Sequence, residues 1–201
     1  IGEALATQAC RTGAATDAYL AVAMWIGKSC HGGLALAGQP LTGAHGATAN
    51  WPHLQLPAPV PHELDGRVCW CGRSGCLESF LSTAALEGDY QRVTGEWRAA
   101  AEITTASANS DIVADSVIQV FEDRLGRATA TIISLFDPDV IVLGGTFLNL
   151  PRLCERMPRK WPGYVQVDRS KTRLVGSEGG INAVTAGAAM LAADRVMAAG
   201  S

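Results

Sequence analysis

Cys69-Trp70-Cys71-Gly72-Arg73-Ser74-Gly75-Cys76, running straight into Leu77-Glu78-Ser79-Phe80-Leu81-Ser82, is the stretch on which the reading of this chain turns. Its thiols are spaced by two and five positions. Gly72 and Gly75 free the backbone to fold back, so that all three sulfurs can face one point. Tetrahedral zinc needs a fourth ligand, and the preceding segment offers two candidates, His53 and His62. A set of four protein ligands is closed, which makes the expected zinc structural. The other cysteines, Cys10, Cys30 and Cys154, are scattered, whereas a secreted disulfide framework would spread its pairs through the chain. A bond between Cys69 and Cys71 would be strained.

Outward from this segment, the chain has 201 residues, 48% of them hydrophobic and 17% charged, enough to bury a sizeable core and too apolar for disorder. Glycine supplies 22 positions and aromatics 6%, a composition suited to close backbone approach. The net charge of −3 argues against a nucleic-acid-binding face or an electrostatic dock on anionic membrane. Asp17, Lys28, Asp137 and Asp139 interrupt the longest apolar runs, so no spanning helix is expected. No basic-then-apolar leader opens the chain, which points to a reducing, cytoplasmic compartment. Ile1 opens it without methionine or a capping residue, so a longer parent with upstream sequence is expected.

The element pattern begins with a helix up to Cys10 that Gly13 stops. The run Ala18 to Ile26 reads as a buried strand, and Gly32 to Ala37 as its hairpin partner, with Gly38-Gln39-Pro40 as a turn. Gly43 to Gly66 reads as a long loop. Helices are expected over Leu77 to Tyr90 and Glu96 to Ala106, then over Ile112 to Leu135 with caps at Asn109 to Asp111, ending at Asp137-Pro138. Val140 to Leu143 reads as a buried strand ending in Gly144-Gly145. Two further helices, Leu148 to Met157 and the Ala-rich Ala183 to Met197, complete an α/β pattern.

Beyond the thiols, three features could carry chemistry. Gly27-Lys28-Ser29 lacks the glycine five positions earlier, where Val22 stands, and lacks the following helix of a P-loop. Gly32-Gly33 could still present backbone N–H groups to a phosphate as a nest, or form an ordinary hairpin. Gly144-Gly145 sits where open α/β sheets bind ligands, and is also a plain βα turn. Glu78, two residues past Cys76, would be held rigidly by a bound metal, and is equally a first-turn helix carboxylate.

The Cys69 to Glu78 run resembles the CxCGxxGCxE signature of the ROK family of sugar kinases and repressors. Gly43-Ala44-His45-Gly46-Ala47-Thr48-Ala49-Asn50-Trp51-Pro52-His53 resembles the family's G-x-x-G-x-x-G-E-W-G-H. Asp137 to Gly145 resembles DPxxIVLGG, and Gly187-Ala188-Ala189 the closing GAA. The likeness covers nearly the whole chain and is most like the fructokinase and mannokinase branch. It implies the actin-like ATPase (ribonuclease H-like) fold, with residues 1–201 as a carboxy-terminal lobe, residues 43–82 as the sugar- and zinc-binding segment, and the amino-terminal lobe absent. It further implies ATP-dependent phosphorylation of a fructose-like hexose with Mg²⁺, zinc on His53, Cys69, Cys71 and Cys76, and a cytoplasmic homodimer. Asn50, His53 and Glu78 would meet the sugar; Gly32, Gly33, Gly144 and Gly145 would lie by ATP. The catalytic aspartate would stand upstream of Ile1, so this chain alone is expected to be inactive.

Several departures fall on those positions. The family's G-T-G-x-G-G-G reads Gly27-Lys28-Ser29-Cys30-His31-Gly32-Gly33, placing side chains where bare backbone meets phosphate. Gly-Glu reads Ala49-Asn50, an amide for a sugar-binding carboxylate, and Pro52 replaces glycine before the histidine. A second reading follows from a different class: a non-catalytic, sugar-sensing regulator or pseudokinase that keeps fold and zinc without turnover.

Overall fold

The computed structural model describes residues 1–64, 67–165 and 171–199; Gly66, the last residue of the expected loop, lies outside them. The elements run α1 (Gly2–Thr12), β1 (Leu20–Ile26), β2 (His31–Leu36), β3 (Gln39–Pro40), α2 (Glu78–Leu81), α3 (Thr83–Thr94), α4 (Ala100–Ala108), α5 (Ile112–Phe136), β4 (Val140–Gly145), α6 (Leu150–Arg156), β5 (Arg173–Gly176) and α7 (Ile181–Ala199). The five strands form one mixed sheet in the order β3-β2-β1-β4-β5. β2 returns antiparallel to β1, and β4 and β5 extend it in parallel.

β1 and β4 lie between two helical layers, which is why both are apolar without alternation. Val22, Met24, Ile26, Ile141 and Leu143 join the core under α5; Ala21, Ala23, Trp25, Val140 and Val142 join the one under α1 and α7. The second face is built of small residues because the backbones there nearly touch. A Cβ on Gly187 of α7 would lie 1.8 Å from the Ala4 carbonyl oxygen, and one on Gly2 would lie 2.1 Å from the Gly32 backbone. Much of the glycine content is therefore spent on layer packing. Among the described residues no helix is long and apolar enough to cross a membrane.

Local departures from the expected pattern have local causes. The helix expected over Leu77 to Tyr90 is two, because Ser82 leaves helical geometry and its hydroxyl accepts the Ala85 N–H as the N-cap of α3. The helix expected from Glu96 starts four residues later, at Ala100. Asp111 caps α5 through the N–H groups of Val113 and Ala114, and Asp137 closes it in the left-handed region at φ 44°. Gln39–Pro40, read as a turn, pairs with β2, and β5 was not legible at all.

Candidate functional site

The expected loop, residues 43–66, carries two single 3₁₀ turns, Trp51–His53 and Pro61–Glu63. Its strand-like stretch after His53 pairs with the thiol segment. Leu56 N–H donates to the Gly75 carbonyl and Leu77 N–H to that of Leu54, which sets His53 beside Cys76. Cys69 to Gly72 is a tight turn closed by the Gly72 N–H on the Cys69 carbonyl. Gly72 and Gly75 hold φ values of +84° and +78°, which a side chain would resist, so the glycines that allowed the fold-back reading are used for it.

The ligand atoms of His53, Cys69, Cys71 and Cys76 all lie within 4.8 Å of one another. His53 Nδ1 is 3.6 Å from Cys69 Sγ, and Cys71 Sγ is 3.7 Å from Cys76 Sγ. A tetrahedron with zinc–sulfur bonds of about 2.3 Å and a zinc–nitrogen bond of about 2 Å has edges of about 3.8 Å and 3.6 Å. Two of the six donor separations thus match such edges, and all six lie within 4.8 Å. Of the two histidines left open by the spacing, geometry selects His53; His62 is exposed on the second 3₁₀ turn. The Arg73 backbone N–H holds the Cys71 thiol down to about 6, while burial pushes Cys76 up to about 12, so a metal binding here displaces a proton. Cys10, Cys30 and Cys154 are not part of this cluster.

Two cavities hold residues expected on sugar and phosphate, and Cys69 of the cluster lines the second. One, of about 370 Å³, is lined by Gly32, Gly33, Asn50, Thr48 and His31. The other, of about 360 Å³, is lined by Glu78, Lys28, Arg67, Arg92 and Trp70. Asn50 and Glu78, both expected on the sugar, therefore open onto separate cavities, and His53 lines neither. His53 turns Nδ1 to the thiols and packs its ring edge-on with Trp70 at 4.9 Å. Glu78 is 5% exposed, and among the described residues no hydrogen bond or ion pair engages its carboxylate.

The expected phosphate glycines are also packing glycines. A Cβ on Gly32 would meet the Ala49 carbonyl at 1.7 Å, and one on Gly33 would meet Gly2; Gly144 abuts Trp25 and Leu5, and Gly145 abuts Leu148. Ala49, standing where the signature has glycine, is held at φ +57°. Left-handed backbone costs an alanine roughly 1 kcal/mol. Ala49→Gly is accordingly expected to raise the unfolding free energy by about 1 kcal/mol. Urea unfolding would read this as a higher midpoint at unchanged slope; an unmoved midpoint would show that the strain is relieved elsewhere.

The sequence profile of the ROK family matches residues 3–195. This chain belongs to the ROK family. An N-acetyl-D-glucosamine kinase from Pectobacterium carotovorum is 28% identical over 174 residues, covering 83% of this chain and 56% of the enzyme. The chain thus spans just over half the length of that relative. Among solved structures, the ROK hexokinase from Thermus thermophilus superposes with a TM-score of 0.79 at 26% identity, covering 93% of this chain and 61% of the hexokinase. A ROK family transcriptional regulator, described as a homologue of the Escherichia coli MLC protein, also reaches 0.79, at 28% identity, covering 93% of this chain and 49% of the regulator. The fold is the α/β, actin-like ATPase fold of these sugar kinases.

The structure also gives ROK residues a role that sequence reading missed. In the Asp137 to Gly145 run, the Asp139 carboxylate accepts the N–H groups of Tyr19 and Leu20 at 3.0 and 2.8 Å, fixing the start of β1 beside β4. Beneath the thiol segment lies a buried ionic network. Glu63 accepts Arg124 Nε at 2.8 Å and Arg127 through both carboxylate oxygens, at 2.8 and 3.0 Å. Asp89 in turn accepts Arg124, Arg67 and Arg92. Arg127 also donates to the carbonyls of Pro57 and Ala58, and Arg67 to that of Ser79. The guanidinia of Arg67 and Arg124 stack on Phe80. The network fastens the His53 side of the loop and the α2 segment to α3 and α5. Its only local sequence trace is an excess of charge on an otherwise apolar helix.

Proposed function

We propose that this chain is the carboxy-terminal lobe of an ATP-dependent ROK hexose kinase, with a structural zinc ion on His53, Cys69, Cys71 and Cys76. The observation that supports it most is Glu78: a carboxylate with no hydrogen bond or ion pair among the described residues, two residues past a candidate metal-ligand set, opening onto a cavity of sugar-binding size. A carboxylate set in such a cavity wall can accept hydrogen bonds from the hydroxyl groups of a sugar. Asn50 opens onto the other cavity and His53 lines neither, so Glu78 carries the sugar contact of this reading. Zinc, when bound, would supply rigidity, tying His53 and the start of α2 to one point.

Phosphoryl transfer of this class rests on positioning and charge stabilisation rather than covalent chemistry. The start of β2, carrying Gly32 and Gly33, and the end of β4, carrying Gly144 and Gly145, are the parts of this lobe that would approach ATP and its Mg²⁺. The proton acceptor would be the aspartate expected upstream. The substrate is kept at the level of a hexose. A preference for fructose comes from the motif resemblance alone, and the relatives named above are an N-acetylglucosamine kinase and a hexokinase. Cytoplasmic location and a homodimer belong to the same reading.

A second reading, a sugar-sensing regulator without turnover, draws support from the substituted phosphate turn, Lys28, Ser29 and His31, from Asn50, and from the likeness to a ROK transcriptional regulator. A coupled assay for ADP on the intact parent, run over glucose, mannose, fructose and N-acetylglucosamine, separates the two. Phosphorylation of at least one sugar is expected. Hexose binding without ADP formation would sink the kinase and leave the regulator.

A further inference from the structure

α3 and α5 run antiparallel on one face of the sheet, so that Asp89 meets Arg124 and, one turn on, Val93 lines a groove with Val117 and Val120. The Arg98–Asp111 ion pair carries this alignment past the end of α3 and brings its neighbours, Trp97 and Ile112, to the same end of the groove. Ile112 is 81% exposed, Val93 66%, Trp97 62%, Val120 41% and Val113 39%, and among the described residues nothing covers them. On α5, Ile112, Ser116 and Val120 recur every four residues and so share one stripe. The groove beside it, of about 240 Å³, has buried Val117 at its base. The arginines that border the patch are already answered within the chain, Arg92 by Asp89 at one end and Arg98 by Asp111 at the other. Covering the patch therefore leaves no lone guanidinium.

We propose that this face is the contact between two copies of the chain, packed α5 against α5 about a two-fold axis at Ser116. At these exposures the five side chains leave roughly 500 Å² of apolar surface open, the apolar share of one side of a standard interface of about 800 Å² per partner. The stripe is also self-complementary. A two-fold through Ser116 carries the residue four before it onto the residue four after it, so Ile112 of each copy meets Val120 of the other, while the short serine side chains let the helices approach. Rows spaced by four are the ridges that interlock in the commonest class of helix packing, and the symmetry supplies the same row twice. The inference rests on the homodimer of the reading above and goes beyond it in naming the face. Phosphoryl transfer does not require it, so the two readings fail separately.

The test is sedimentation equilibrium of the chain and of three variants, with a cross-link as a second measurement. The wild type is expected to be a dimer at micromolar concentration. Ile112→Glu and Val93→Glu, each of which the symmetry counts twice, should weaken the dimer about tenfold or more, because each buries a lone carboxylate at the contact. Leu135→Glu, at the exposed far end of the same helix, should leave it unchanged. Ser116→Cys under mild oxidation should give a covalent dimer on a non-reducing gel that the wild type, with its own six cysteines, does not give. Circular dichroism unchanged in the glutamate variants assigns their dissociation to the contact; dissociation that comes only with unfolding would overturn the proposal. A monomeric wild type would overturn it while leaving the kinase reading intact. So would a dimer that neither glutamate weakens, or one that Ser116→Cys does not lock.

Discussion

Replacing Cys76 by serine is expected to abolish stoichiometric zinc and to unfold the segment that presents Glu78. Cys76 is fully buried, bridges to Gln55, and accounts for one edge of the four-donor cluster. An ion that binds only the folded chain stabilises it by mass action, so a ligand change that weakens zinc a thousandfold removes about 4 kcal/mol. For a chain of this size that corresponds to a fall of about 8–16 °C in the midpoint of thermal unfolding. Metal analysis should give about one zinc per wild-type chain and none for Cys76→Ser, and a strong chelator should reproduce the shift in the wild type. A wild-type chain that is metal-free with an unchanged melting curve would remove zinc from the proposal. His62→Ala separates the histidines: it should keep the metal, whereas His53→Ala should lose it.

Arg124→Ala is expected to cost about 3–5 kcal/mol with zinc retained, because it removes two buried charge-assisted hydrogen bonds, one accepted by Glu63, which keeps Arg127, and one accepted by Asp89, which keeps Arg67 and Arg92. Arg124 is 1% exposed, joins Glu63 to Asp89, and lies over Phe80. Truncation removes the shared cation and the packing of its stem together. The same network makes stability depend on acid. Burial alone would push the Glu63 carboxyl up, but hydrogen bonds from Arg127, Arg124 and the Val60 N–H outweigh it and hold the group down to about 2. A carboxyl depressed in the folded state contributes fully above its unfolded value of about 4.3, and that contribution is lost as pH falls towards 2. Unfolding free energy should therefore drop between about pH 5 and pH 2, and the drop should be shallower in Arg124→Ala. An equal pH slope in both would show that other groups govern acid unfolding. Metal content tells the two variants apart, since Cys76→Ser loses stability with the ion and Arg124→Ala loses it while keeping the ion.

Both predictions concern the platform beneath Glu78, and they differ in how visible that platform is in the sequence. The thiol spacing and the left-handed glycines are local, so Cys69, Cys71, Cys76 and the turn that gathers them were legible from eight consecutive residues. β1 and β4 were legible for a similar reason: a strand covered on both faces must be apolar at every position, whatever covers it. The ends of α5 were written in the Asp111 cap and the Asp137-Pro138 stop.

What the sequence left open depends on which distant segments meet. Choosing His53 over His62 required the pairing of Leu54 and Leu56 with the thiol loop. β5 is four residues whose extended form comes from lying beside β4, and isolated they carry no signal. Glu63 meets Arg124 and Arg127 across 61 and 64 positions, and Asp89 meets Arg124 across 35. Helical periodicity reports neighbours three and four apart and is blind to such pairs. The placement of Asn50 and Glu78 in separate cavities likewise depends on tertiary packing rather than on local sequence. Sequence alone determined the three clustered thiols, the two central strands and the family, because each is encoded by contiguous residues. Tertiary structure alone decided which histidine stands beside the thiols, the ionic platform and the separation of the two cavities, because each joins side chains that only the closed sheet and its helical layers bring within reach.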